Sequence, residues 1–104
     1  MLPALLLAFS SVIARAQDVV IEDTDDPDAP INYVTLAWNP NPERNIVAYN
    51  IYYGRASGTY SRLLTVTETT VTISIKGRKT TYFAVTALDE NGLESDFSNE
   101  VHWP

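Results

Sequence analysis

The run Tyr33-Val34-Thr35-Leu36-Ala37-Trp38, then Asn39-Pro40-Asn41-Pro42, then Val47-Ala48-Tyr49-Asn50-Ile51-Tyr52-Tyr53-Gly54 decides the fold. Val34, Leu36 and Trp38 alternate with Thr35 and Ala37, the period-two pattern of a strand that buries one face. The two prolines end that strand, because proline has no N–H to give a central ladder. Val47, Tyr49, Ile51 and Tyr53 then alternate with Ala48, Asn50 and Tyr52, so a second strand is expected, with Tyr49, Ile51 and Tyr53 inward.

The same grammar continues to the C-terminus. Gly54 and Ser57-Gly58 mark a turn, and Tyr60 to Val66 reads as a weaker, edge-like strand. Val71, Ile73 and Ile75 alternate with Thr and Ser, and Phe83, Val85 and Ala87 alternate with Tyr82, Ala84 and Thr86. Asp89-Glu90-Asn91-Gly92 is a turn cluster, after which Phe97 to Trp103 closes the domain. Thr, Val, Ile and Tyr dominate these segments, as a pleated, half-buried surface favours. Outside the N-terminal run no stretch carries an apolar period of 3.6. The expected class is all-β, a two-sheet antiparallel sandwich occupying residues 33–104.

Upstream, residues 17–32 read as a short strand and an acidic linker. Val19, Val20 and Ile21 supply the strand. Glu22 to Pro30 holds five carboxylates and two prolines, so charge repulsion and missing backbone donors predict an extended, solvated connector.

Residues 1–16 read as a secretory signal peptide. Leu2, Ala4, Leu5, Leu6, Leu7, Ala8, Phe9, Val12 and Ile13 form an apolar run that ends in Ala14-Arg15-Ala16, small residues at the places a signal peptidase accepts. The run is shorter than the roughly 20 apolar residues of a membrane span. No Lys or Arg precedes it. An uncleaved anchor or a buried apolar segment are the alternatives. On the signal reading the protein is exported, to the periplasm or the extracellular space, with no membrane insertion after processing.

Removing residues 1–16 from 104 leaves 88 residues, the size of one small sandwich. There is no cysteine, which excludes disulfides, a thiol nucleophile and Cys-ligated metals and leaves stability to the core. Thirteen acidic against seven basic residues give a net charge of −6, and loss of Arg15 makes it −7. Nucleic acid and anionic membranes repel such a domain.

Taken in order, these pieces resemble the fibronectin type III family, especially its small exported bacterial versions. The resemblance runs from Tyr33 to Trp103 and includes Gly92-Leu93-Glu94-Ser95-Asp96-Phe97-Ser98-Asn99-Glu100-Val101. It implies an immunoglobulin-like sandwich, with strands A, B and E facing C′, C, F and G and Trp38 as the central buried aromatic. Two departures stand out. The tyrosine that the family uses across its E–F corner is replaced by Thr81, and the usual Pro-Gly there falls at Gly77-Arg78, so a looser, more basic corner is expected. Strand A is also short and separated from strand B by the acidic linker.

The resemblance implies a binding or spacing module rather than an enzyme, and no Arg-Gly-Asp loop is present. The single histidine, His102, lies at the end of the last strand, a poor place for a serine-hydrolase base. Strand parity places Tyr52, Tyr82 and His102 outward on neighbouring strands C, F and G. A pair of exposed tyrosines there is the candidate binding face, suited to a sugar ring or a protein partner, although cross-strand pairing alone also favours tyrosines in strands. The aspartates of the linker raise weak calcium binding, against which stand the missing loop glycine, the missing distal Glu and two stiffening prolines. No cofactor is expected, and a monomer is. The alternative function is a structural spacer without a ligand.

Overall fold

A computed structural model describes residues 7–11 by their backbone and residues 20–104 in full. The expected cleavage site at Ala14-Arg15-Ala16 lies outside the described residues. Eight strands run in chain order: β1 Leu7–Ser11, β2 Val20–Glu22, β3 Ile31–Trp38, β4 Ile46–Ala56, β5 Thr59–Val66, β6 Thr70–Lys76, β7 Thr81–Asp89 and β8 Val101–Trp103. They form two four-stranded sheets, β1-β3-β6-β2 and β5-β4-β7-β8.

The register explains the core. Val34 lies opposite Ile73 and Leu36 opposite Val71 in the first sheet. In the second, Tyr49 lies opposite Ala87, Ile51 opposite Val85 and Tyr53 opposite Phe83. Side chains paired in this way share a face, so one alternation per strand fills one interior. Val34, Leu36, Ile51, Ile73, Ile75, Phe83 and Val85 are fully buried. Trp38 closes one end and meets Tyr49 edge to face, ring centroids 5.5 Å apart.

Three details depart from simple alternation. The β4–β7 register shifts between Ile46 and Ala48, and this bulge turns Val47 outward, to 50% exposure, while Ala48 is buried. The strand itself starts at Ile46; the bulge inserts one unpaired residue there and shifts the parity of its first residues. The short N-terminal strand β2 joins the first sheet as expected, but on the far side of β6 and parallel to it. The outer edge of β3 is instead paired, antiparallel, with β1.

The acidic linker is not solvated throughout. Asp23 is buried, its N–H donating to the Lys76 carbonyl at 3.1 Å and its Oδ2 accepting from the Lys79 N–H at 2.9 Å. Arg55, from the opposite sheet, approaches the same carboxylate at 3.9 Å and also donates to the Thr81 hydroxyl. Thr81 is fully buried and donates to the Lys79 carbonyl at 3.2 Å. The corner between β6 and β7 is therefore tied by Asp23, Arg55 and Thr81, a polar clamp where a looser turn is expected. Gly77 makes it possible: its φ is +104°, and a Cβ there meets Asp23 Oδ1 at 1.6 Å.

Candidate functional site

The outer face of β5-β4-β7-β8 is shaped by the segment between β7 and β8. Asp89 starts it: its Oδ1 accepts the N–H groups of Asn91 and Leu93, both at 2.9 Å, around Gly92 with φ +83°. The chain then runs back along β7 without forming a regular strand. Ser95 N–H donates to the Ala87 carbonyl and Ser98 N–H to the Val85 carbonyl, both at 2.8 Å. The two serine hydroxyls accept in return, from Ala87 N–H at 2.8 Å and Val85 N–H at 2.9 Å. Ser95 and Ser98 thus satisfy buried backbone donors that a strand partner would otherwise meet. Only Val101–Trp103 pairs as a strand, so the expected closing strand is much shorter than Phe97 to Trp103.

Phe97 sits between those two anchors and is 46% exposed. Its ring meets Tyr52 and Tyr60 edge to face, each with centroids 5.0 Å apart. Ala84 is opposite Tyr52 in register, and so small a residue leaves room for a ring to lie across the sheet.

Two carboxylates fix this aromatic group. Glu94 accepts hydrogen bonds from Tyr52 and, at 2.6 Å, from the Thr86 hydroxyl. Glu100 accepts from Tyr60, from the Ser57 hydroxyl at 2.6 Å and from the Gly58 N–H at 2.9 Å. Burial raises the pKa of both acids, but bonds from Thr86, Tyr52 and Asn50 outweigh it at Glu94. Bonds from Ser57, Tyr60 and Gly58 do the same at Glu100, so both lie below the ordinary 4.5. The phenols move the other way. Desolvation and the bond to Glu94 raise Tyr52, and desolvation and Glu100 push Tyr60 from 10.0 up to about 12.

A pH prediction follows from these directions. A folded phenol pKa above 10.0 means that the Tyr60 contribution to stability is complete below pH 10 and lost as pH rises through about 12. The carboxylate contribution is complete above 4.5 and lost as pH falls through the depressed folded values. Melting temperature against pH is expected to show a plateau between these limbs. In Glu100→Gln, phenolate absorbance should develop at lower pH than in the parent. An unchanged titration would show that Glu100 does not hold the Tyr60 phenol.

Of the residues singled out from sequence, Tyr82 and His102 lie opposite each other on β7 and β8 with ring centroids 5.8 Å apart. Tyr52 is not in that pair. It is opposite Ala84 rather than Tyr82, and its ring packs on Phe97. His102 Nδ1 also lies 3.1 Å from the Pro104 carbonyl oxygen. Sequence reasoning missed Phe97, Tyr60, Glu94 and Glu100. The signal for them was Ser95-x-x-Ser98, whose spacing holds Phe97 to the sheet edge. Asp23 is engaged by the corner, and among the described residues no group of three or more His, Asp or Glu is placed to hold a metal ion.

Solved structures share the fold. A fibronectin type III-like protein from Clostridium thermocellum superposes with a TM-score of 0.65 at 26% identity, covering 98% of this chain and 92% of that one. This chain has a fibronectin type III-like fold. In that frame β3 and β6 stand as strands B and E, and β5, β4, β7 and β8 as C′, C, F and G. The fibronectin-like fold also recurs within longer chains. A pectate lyase from Erwinia chrysanthemi, in complex with tetragalacturonic acid, matches with a TM-score of 0.59 at 18% identity over 96% of this chain and 28% of that one. A β-1,2-glucanase from Parabacteroides distasonis matches with a TM-score of 0.61 at 21% identity over all of this chain and 14% of the other. No family model and no curated relative matches the chain.

Proposed function

We propose that this protein is an exported, non-catalytic interaction module that contacts a protein or an envelope glycan through Tyr52, Phe97 and Tyr60. The observation that carries this reading is Phe97, a large ring left half-exposed while its backbone is anchored on both sides by buried serine hydrogen bonds. A preordered aromatic loses little side-chain freedom on binding, which is why rigid rings dominate interface energetics. The carboxylates beside it select against anionic ligands, so a neutral glycan is a better fit than a polyuronate. The likeness to portions of two carbohydrate-acting chains supports the glycan branch by fold analogy alone.

The test is retention of the exported protein on neutral polysaccharides and on isolated cell envelopes, compared with Phe97→Ser. Loss of an anchoring ring at an interface is expected to weaken binding at least about tenfold. Equal retention of parent and variant on every surface, with both folded, favours a spacer without a ligand at this face.

A further inference from the structure

We infer that, once residues 1–16 are removed, the outer edge of β3 becomes an acceptor for an extended, uncharged, apolar strand supplied by a partner protein. In the full chain that edge is covered by β1, antiparallel, with Leu7 opposite Trp38, Phe9 opposite Leu36 and Ser11 opposite Val34. All five residues of β1 fall inside the apolar run that carries the export signal. The inference therefore rests on the reading that the leader is cleaved. Processing takes away a whole strand and leaves β3 paired only with β6.

The exposed edge differs from the other three. The edge at β2 is three residues long and carries Glu22 beside the acidic linker, and the edge at β8 is also three residues long. The edge at β5 carries Arg62 and pairs through register shifts. Short strands, charges and bulges are the means by which sheets prevent foreign strands from adding on. β3 has none of them. Its eight residues, Ile31-Asn32-Tyr33-Val34-Thr35-Leu36-Ala37-Trp38, include no charge and no proline, and the β3–β6 register is continuous over Ile31–Ala37.

The direction of the free backbone groups follows from one hydrogen bond. Trp38 N–H donates to the Thr69 carbonyl at 3.0 Å, on the β6 side. Successive amides in a strand point to opposite edges, so the N–H groups of Thr35 and Ala37 face the slot that β1 fills. These are the donors a partner strand would take, with apolar residues opposite Trp38 and Leu36. A second copy of this chain is the less suitable occupant, because two domains of net charge near −7 repel.

The experiment uses the protein purified after export, with a synthetic peptide of residues 5–13 as the probe. Mass spectrometry first establishes whether the chain begins at Gln17. Hydrogen exchange is then followed at single amides. Without peptide, Thr35 and Ala37 are expected to exchange rapidly while Val34 and Leu36 stay protected; with it, Thr35 and Ala37 should slow by at least about tenfold. Ala37→Pro deletes one edge donor and is compatible with an edge strand. It should keep the parent Trp38 fluorescence and melting temperature and lose the peptide effect. Retention of residues 1–16 in the exported protein overturns the inference by way of the leader reading. A chain that begins at Gln17 but shows no peptide-induced protection overturns it at the edge itself. Protection of Thr35 and Ala37 that rises with protein concentration alone assigns the edge to a second copy and also overturns it.

Discussion

Trp38→Ala is expected to lower the free energy of unfolding by roughly 3–5 kcal/mol. The indole is 5% exposed, ends the β3 face that also carries Val34 and Leu36, and packs edge to face on Tyr49 from the opposite sheet. Its removal opens a cavity between two layers that cannot collapse independently, since each is held by its own ladder. A domain of this length has about 5–15 kcal/mol in total and no disulfide to limit the unfolded chain. The variant should therefore sit near its unfolding threshold at room temperature. Trp38 Nε1 has no hydrogen-bond partner, so Trp38→Phe should lose much less, the difference being volume alone. Urea unfolding followed by circular dichroism measures both. A loss below about 1 kcal/mol for the alanine variant would remove Trp38 from the core.

Gly54→Ala should cost about 1–3 kcal/mol and also disturb the candidate site. A Cβ at this position falls 1.9 Å from the Thr59 carbonyl oxygen and 3.0 Å from its carbon, both backbone atoms of the facing strand. Nothing flexible can give way, so β4 and β5 must separate where their register already shifts, between Tyr53 and Ala56. Tyr60 follows Thr59 directly. Displacing it should break its bond to Glu100 and let its phenol titrate below the parent value of about 12. Stability and phenolate titration are thus expected to fall together. Gly58 is the control: its φ is +79°, but a Cβ there meets nothing within 4 Å, and Asn tolerates that backbone region better than most residues. Gly58→Asn should lose little stability and leave the Tyr60 titration unchanged. If Gly54→Ala behaves like Gly58→Asn, the close approach of β4 to β5 does not constrain the site.

Both outcomes concern how local pattern and distant register combine. The strands from Tyr33 to Asp89, most of their inward faces and the burial of Trp38 were legible because alternation is a property of a few consecutive residues. The outward positions of Tyr52, Tyr82 and His102 followed from the same parity. Which of them touch did not, because contact across a sheet depends on the register between strands some thirty residues apart. Gly54, not Tyr52, lies opposite Tyr82, and Tyr82 pairs instead with His102.

By itself, then, the sequence determined an all-β sandwich, the succession of its strands from Tyr33 to Asp89 and most of the residues that fill its interior. Only the tertiary structure decided that Asp23 is drawn out of the acidic linker into the β6–β7 corner, that Val47 turns outward at a bulge, and that β2 adds beyond β6 rather than beside β3. It alone placed Phe97 on Tyr52 and Tyr60. Each of these depends on a partner far along the chain, where hydrogen bonds to a specific backbone group, rather than hydrophobic period, fix where a side chain goes.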